Sequence, residues 1–343
     1  MRTIGFFNNK GGVGKTSLVY HVTWMLSELG ARVVAADFDP QANLTSIFLD
    51  EERLEAIWAQ PTRPTIYGAV SPQFRGIGDV QAPHVEVIDD RIGLLVGDLE
   101  LSRFEDDLSQ SWSRCADGDE RAFRVTSALA RALKMATDQH AADVALLDVG
   151  PNLGALNRAA LLACDEIVVP LGADLFSLQG LRNMGPTLRE WRRLWTERLG
   201  RNPDPALALP LGKIKPIGYI VMRHSVRIGR PARAFGRWMS RIPGQYLQSV
   251  LDLPQNDITD PSVDPNCLAQ LKDYRSLMPM AQEARKPMFY LKPADGAFGG
   301  HQAAVLDCFG DFQRLTREIA RRAGLDLGEA ALPPSPRQET LSI

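Results

Sequence analysis

The sequence predicts an α/β protein, a doubly wound and mostly parallel sheet flanked by helices. Three observations carry the prediction. Apolar segments rich in β-branched and small residues recur without the polar alternation of a half-exposed strand, as strands covered on both faces require. Segments of helical period separate them, and parallel neighbours need such crossovers. A glycine-rich loop stands between the first strand and the first helix.

The elements follow in chain order. Thr3 to Phe7 is the first strand, and the loop Asn8 to Gly14 leads into a helix from Lys15 to about Leu29. There Leu18, Val22, Met25, Leu26 and Leu29 recur at helical spacing before Gly30 ends the run. Ala31 to Phe38 is the second strand. Val85 to Val96 reads as two short strands around a tight turn at Asp89 and Asp90, and Ser71 to Pro83 before it reads as loop. A helix from about Glu120 to Gln139 precedes the strand Asp143 to Val149. Ile167 to Leu171 and Ile217 to Met222 repeat that strand type, with a long helix from about Leu178 to Leu199 between them. Arg201 to Leu211, with three prolines, reads as an insertion loop, and a last helix runs from about His301 to Ala323. One domain over residues 1–324 is expected, with insertions around 51–84 and 200–215. Residues 325–343, carrying Pro333, Pro334 and Pro336, form an expected mobile tail.

Composition narrows the function classes. Of 343 residues 45% are hydrophobic and 23% charged, which excludes a disordered or collagen-like chain. No apolar run approaches the roughly 20 residues of a membrane span. A glycine-rich motif follows the first strand at once, so no secretory signal is expected, and the location is read as cytoplasmic. Cys115, Cys164, Cys267 and Cys308 lack the spacing of a zinc site or disulfide framework and are expected to be reduced thiols.

Asn9-Lys10-Gly11-Gly12-Val13-Gly14-Lys15-Thr16 has the strand–loop–helix context of a phosphate-binding loop. Glycines let successive backbone N–H groups turn inward, and the helix N-terminus adds its positive end. Lys15 can then reach the outer phosphates, and the Thr16 hydroxyl is placed to ligate Mg2+. The candidate nucleotide contacts are Lys10, Gly11, Gly12, Val13, Gly14, Lys15, Thr16 and Ser17. Met222 and Arg223, where the strand Ile217 to Met222 ends, complete the set. Phosphoryl transfer to water also needs carboxylates to hold the metal and orient the attacking water. Asp148, closing an apolar strand, suits the metal. Asp37 and Asp39 flank Phe38 at another strand end, pointing to one side if extended.

Asn9 stands where the ordinary loop begins with glycine, and a second lysine, Lys10, follows it. This resembles the deviant Walker A motif of the ParA/MinD group of P-loop ATPases, from the first strand to the last helix. Asp37-Phe38-Asp39-Pro40-Gln41-Ala42-Asn43 resembles the D-x-D-P-Q-x-N of ParA partition ATPases, and Leu146-Leu147-Asp148-Val149-Gly150-Pro151 resembles their Walker B segment. Asp165 to Leu171 is similar to the strand that follows, and Lys286-Pro287-Met288-Phe289 to the G-K-P-I stretch. The P-Q-x-N piece points to ParA rather than MinD. The resemblance implies ATP and Mg2+ as cofactors, with Lys10, Lys15 and Asp39 catalytic. Asp39 would position the lytic water, Thr16, Asp37 and Asp148 would serve the metal, and Lys10 would cross a homodimer interface to the partner's nucleotide. It also implies nonspecific double-stranded DNA and a ParB-like or other activating protein as partners, with nucleoid association if DNA binds. The tail does not resemble the membrane-binding helix of MinD, so no membrane partner is expected.

Charge adds a second candidate surface. The chain's net charge is -2, yet residues 182–241 hold fourteen Lys and Arg against three acidic residues. Such a face can hold a polyanion through counterion release, or it can be a solvated face. With Pro231 as first helical residue, Arg230, Arg233, Arg237 and Arg241 fall within an arc of about 80 degrees. With Arg223 and Arg227 they are the DNA-binding candidates. Trp191 and Trp195 read as packing residues.

Three function classes compete. The first is a dimerising Mg-ATPase that uses DNA as the matrix for partition or positioning of plasmid, chromosome or other cargo. The second is a regulatory or scaffolding ATPase in which the insertions, between Asp39 and Asp148 and between Ser177 and Ile217, bind a protein partner and DNA plays no part. The third, reductase-type electron transfer, needs a cysteine shortly after Asp148, where Val149, Gly150 and Pro151 stand.

Overall fold

The computed structural model describes residues 1–222 and 232–327, without the side chains of 232–235. Among the described residues eight strands form one sheet: β1 (Arg2–Phe6), β2 (Val33–Asp37), β3 (Val85–Val87), β4 (Ile92–Leu95), β5 (Val144–Asp148), β6 (Glu166–Gly172), β7 (Lys215–Met222) and β8 (Cys267–Leu271), in the order β3-β4-β2-β5-β1-β6-β7-β8. Only the β3–β4 pair is antiparallel; the remaining pairs are parallel.

Strand side chains alternate between two cores, which is why these strands are apolar throughout. Val34, Ala36, Ala145, Leu147, Ile167, Val169, Tyr219 and Val221 enter one core, covered by helices Ile66–Arg75, Glu105–Arg114, Ala128–Gln139, Ala155–Leu162 and Leu175–Leu199. Ile4, Phe6, Val33, Ala35, Val144, Leu146 and Ile220 enter the other, covered by helices Lys15–Glu28, Leu277–Ala284 and Gly300–Ala323. Trp191 and Trp195 are buried in the first core, as their packing reading requires. His21 ties the first helix to the Lys286–Phe289 stretch: its ring sits 2.7 Å from the Ser17 carbonyl and accepts the Met288 N–H at 3.1 Å. Burial pushes its pKa down to about 4, so the ring is neutral.

The structure corrects several sequence expectations. Ser71–Arg75 is helical, not loop: Thr65 caps helix Ile66–Arg75 by accepting the Gly68 N–H, and Pro72 is carried inside it. The helix expected over Glu120–Gln139 breaks at Ser127 into Glu120–Thr126 and Ala128–Gln139. The arginine helix is shorter than expected. It spans Ala232–Met239, and Arg241 follows the break, at the N-cap of helix Ile242–Tyr246. Edge strand β8 and helices Asn43–Phe48, Glu51–Trp58 and Glu105–Arg114 were not anticipated. The expected tail lies outside the described residues from 328 onward.

Candidate functional site

Strand order places the candidate residues side by side. β5 lies between β1 and β2, and its last residue, Asp148, is in register with Phe6 on one side and Asp37 on the other. The loop after β1 therefore rises beside two carboxylates at the carboxyl edge of the sheet, where ligands of open α/β sheets bind. Gly12 and Gly14 take φ of +71° and +84°, open to glycine and strained for other residues. Gly14 also lets the loop approach β7, since a Cβ there would lie 3.0 Å from the Met222 methyl. Gly14 starts helix Lys15–Glu28 without a side-chain cap, so the first-turn N–H groups are available to an anion.

The two loop lysines are held differently. Lys15 is buried, and its ammonium donates to the carbonyls of Asn8 at 3.2 Å and Lys10 at 3.3 Å. Burial lowers its pKa, opposed by the charges of Asp148 and Asp39. Lys10 lies at the rim, with its ammonium 2.5 Å from Asp174 Oδ2 of the same chain. Asp174 caps helix Leu175–Leu199, its Oδ1 accepting the Ser177 N–H at 2.9 Å. Burial alone would raise the Asp174 pKa, but Lys10 and the helix N–H groups hold it below the usual carboxylate range.

Asn8 and Asn9 fix the loop's other side. Asn8 donates to the Pro170 carbonyl at 2.6 Å and accepts the Lys10 N–H at 3.0 Å, while a Cβ on Gly180 would strike Asn9 Oδ1 at 2.7 Å. Glycine at 180 is thus what lets the long helix touch the loop.

The three aspartates differ in how they are satisfied. Asp37 Oδ2 accepts the Thr45 N–H and hydroxyl, each at 2.8 Å, and its Oδ1 accepts the Asp39 N–H at 3.3 Å. Asp39 Oδ1 accepts the Gln41 N–H at 3.0 Å. Neither carboxylate oxygen of buried Asp148 has a hydrogen-bond partner. Burial raises the pKa of both Asp37 and Asp148; the Asp37 charge raises Asp148 further, while the nearby Thr16 hydroxyl and Lys15 lower it by less. Two buried carboxylates in register repel each other, and the single Lys15 ammonium beside them offsets that only in part.

That unsatisfied carboxylate suits a divalent ion. Asp148 and Thr16 supply the hard oxygen donors that Mg2+ prefers. Among the described residues no group of three or more His, Cys, Asp and Glu could hold a metal, so the other ligands would be phosphate oxygens and water, the usual arrangement for Mg2+ at a phosphate site.

The structure thus brings together Lys10, Gly11, Gly12, Val13, Gly14, Lys15, Thr16, Ser17, Asp37, Asp39, Asp148 and Met222. Ser17 lies one turn in, its hydroxyl 3.4 Å from His21 Nδ1. Sequence reasoning missed Asn8, Thr45 and Asp174. A strand-end aspartate three residues before Ser177 was a readable helix cap, but its pairing with Lys10 spans 164 residues and left no local signal.

The arginine-rich segment is less free than its composition suggests. Arg182 donates to Gln245, Arg189 to the Ser249 carbonyl, Arg193 pairs with Glu197, and Arg198 donates to the Trp112 carbonyl. Arg223, Arg227 and Arg230 lie outside the described residues, as does the Arg233 side chain. Arg237 and Arg241 are exposed, and both guanidiniums lie over the Trp238 ring, at 5.4 and 5.6 Å. No helix among the described residues is long and apolar enough to cross a membrane.

Comparison with known proteins agrees with this geometry. A family model described as an AAA domain matches residues 1–199. Soj, the sporulation initiation inhibitor of Bacillus subtilis, is 28% identical over 189 residues, 55% of this chain and 65% of Soj. The chromosome partitioning protein ParA of Caulobacter vibrioides is 28% identical over 202 residues, 58% of this chain and 66% of that protein. The chain spans as little as 42% of other curated relatives. Among solved structures, a protein from Corynebacterium diphtheriae superposes with a TM-score of 0.70 at 23% identity, covering 94% of this chain and 98% of that one. McdA of Cyanothece in complex with ATP gives 0.60 at 15% identity, covering 95% and 97%. The loop, the carboxylates at the sheet edge and these matches have one reading: the chain belongs to the ParA/MinD family of P-loop ATPases.

Proposed function

We propose that this protein is a Mg-dependent ATPase that closes into a nucleotide-sandwich homodimer, binds double-stranded DNA without sequence preference in the ATP state, and drives partition or positioning of plasmid, chromosome or other cargo. The observation that carries the ATPase reading is the unpartnered, buried Asp148 carboxylate beside Thr16 and the glycine loop. ATP is the substrate favoured by that loop and by the ATP named in the McdA complex. The relatives' role in chromosome partitioning supports the cargo reading.

The residues divide the work by position. Backbone N–H groups of Gly11–Ser17 and the Lys15 ammonium receive the phosphates, drawing Lys15 from the carbonyls of Asn8 and Lys10. Asp148 and Thr16 would hold Mg2+, which when bound draws charge off the phosphate oxygens and neutralises the buried carboxylates. Asp37, with its oxygens taken by Thr45 and Asp39, shapes the loop and supports that shell through charge. Asp39, tethered by Gln41 through one oxygen, keeps its other oxygen for the attacking water. Lys10 reaches the partner subunit's nucleotide once it leaves Asp174. Arg237 and Arg241 form the described part of the DNA face, with a ParB-like or other protein stimulating hydrolysis.

ATP turnover with and without nonspecific duplex tests the reading, with size-exclusion chromatography in ATP beside it. Lys15→Ala is expected to lose ATP binding. Asp39→Ala is expected to bind ATP and persist as a dimer; a stable monomer in that variant counts against the shared site. Turnover without any response to duplex would favour switching of a protein partner instead.

A further inference from the structure

Helix Glu105–Arg114 belongs to the long interval between Asp39 and Asp148, yet its first residue reaches the loop that follows Asp148. Glu105 Oε1 accepts the Ala155 N–H at 2.5 Å and its Oε2 accepts the Leu156 N–H at 2.9 Å, so one carboxylate bridges the first two N–H groups of helix Ala155–Leu162. That helix has no cap from its own N-cap residue, Gly154, so the charge comes from another part of the chain.

The clamp leads to the site in two steps. Asn157, one turn into the clamped helix, donates from its amide to the carbonyls of Gly150 at 3.0 Å and Asn152 at 2.9 Å. Gly150 is the second residue after Asp148 and abuts Asp39: a Cβ there would lie 3.3 Å from the Asn157 amide and 3.5 Å from Asp39 Cγ. Glu105 cannot easily swing away. Its own helix is seated by buried Leu108 and Trp112, and the guanidiniums of Arg158 and Arg198 lie over the Trp112 ring at 4.4 and 4.2 Å. Arg158 follows Asn157, so the two helices are fastened at both ends of the contact.

We infer that Glu105 is a positioning residue for ATP hydrolysis, acting through helix Ala155–Leu162 and Asn157 to hold the Gly150–Asn152 loop against Asp39. The inference rests on the ATPase reading above. Glu105 touches neither the glycine loop nor Lys15, so its loss should act on turnover and leave nucleotide binding intact. Misplacing a water-orienting group by a fraction of an ångström lowers the rate without weakening the phosphate contacts.

The test measures kcat and KM for ATP, with melting temperature and amide exchange, in the parent, Lys15→Ala, Glu105→Ala, Glu105→Gln and Gly154→Ala. Glu105→Ala is expected to lower kcat about tenfold, as loss of an outer supporting contact does, with KM within about twofold of the parent. The Ala155 and Leu156 amides should exchange about tenfold faster, and melting should fall by no more than about 2 °C. Glu105→Gln, whose amide oxygen can accept one of the two N–H groups, should recover part of the rate. Gly154→Ala attacks the same contact from the other side, since its Cβ would stand 2.5 Å from Glu105 Oε1; it would also stand 2.8 Å from Asn152 Oδ1 in the loop itself, so it should lower kcat at least as far as Glu105→Ala. An active parent and inactive Lys15→Ala with parental kcat in Glu105→Ala overturns the inference and leaves the ATPase reading standing. A fall in kcat accompanied by a several-fold rise in KM and a large drop in melting temperature overturns it in favour of a general structural role. A parent that binds and hydrolyses no ATP overturns both.

Discussion

Replacing Asp148 with asparagine should stabilise the nucleotide-free protein while removing its response to Mg2+. Asp148 and Asp37 are register partners on adjacent parallel strands, so their backbones stand about 4.8 Å apart. Two carboxylate charges at about 5 Å repel by about 3 kcal/mol at an effective dielectric near 20. Lys15 returns part of this, leaving about 2–3 kcal/mol to be relieved by Asp148→Asn. With an unfolding entropy of about 2 cal/mol/K per residue over this length, that is roughly 3–4 °C in Tm. The sign follows from the raised carboxyl pKa of the pair. The folded parent binds more protons than the unfolded chain, so its stability falls as pH rises from the ordinary carboxylate range through the raised values. The variant lacks most of that slope. Its Tm advantage should be largest near pH 8.5 and shrink toward zero by about pH 5. Calorimetry across that range measures it, and ATP with or without Mg2+ measures the second half: the parent should gain stability from the metal and the variant should not. An Asp148→Asn protein less stable than the parent at every pH would refute the picture of an uncompensated carboxylate pair.

The remaining expectations can be checked with small panels of variants. Arg237→Ala with Arg241→Ala should weaken duplex binding and flatten its salt dependence by up to about two ions, with basal ATP turnover unchanged; fluorescence anisotropy over a salt series reads this. Asp174→Asn keeps a good helix cap and releases Lys10 from its charge partner, so ATP-induced dimerisation should occur at several-fold lower nucleotide; chromatography over an ATP titration tests it. His21 should remain neutral down to about pH 4, its ring signals showing no titration above pH 5 by NMR. Because its folded pKa lies below the unfolded value near 6.5, the stability tied to its neutral form is present above pH 6.5 and drains away as pH falls toward 4, by about 3 kcal/mol in all.

The parts of this protein that could be read from sequence are those whose chemistry is contiguous. The loop Asn9–Thr16, the carboxylates Asp37 and Asp39, and Asp148 at the end of an apolar strand announce themselves within a few residues. β8 did not. Cys267–Leu271 mixes buried and half-exposed positions around Ala269 and Gln270, as an edge strand does, and shows neither a continuous apolar run nor a clean alternation. Helix Ile66–Arg75 was hidden by Gly68 and Pro72, residues that ordinarily interrupt helices. The arginine excess misled for a different reason. Composition counts Arg198 and Arg237 alike, whereas folding places one over Trp112 and leaves the other at the surface. Long-range partners such as Asp174 for Lys10 and Glu105 for Ala155 are products of topology, and a single sequence carries no mark of them.

The two oxygens of Asp174 are engaged separately, so the ion pair with Lys10 can open without disturbing the helix cap. Oδ1 is engaged with the Ser177 N–H and Oδ2 with the Lys10 ammonium, so the cap survives when the ion pair opens. The pair lies at the rim and is partly open to water, which screens it in part, so a phosphate of higher charge can compete for Lys10. Leu175 and Phe176, next along the chain, are 52% and 71% exposed on the same rim. A second subunit arriving there would cover apolar surface and bring a phosphate to Lys10 in one movement, so the ion pair would hold the lysine only while neither is present. Lys15, buried and facing Asp148 and Asp39, has no such rim contact, and its ammonium is held by the carbonyls of Asn8 and Lys10.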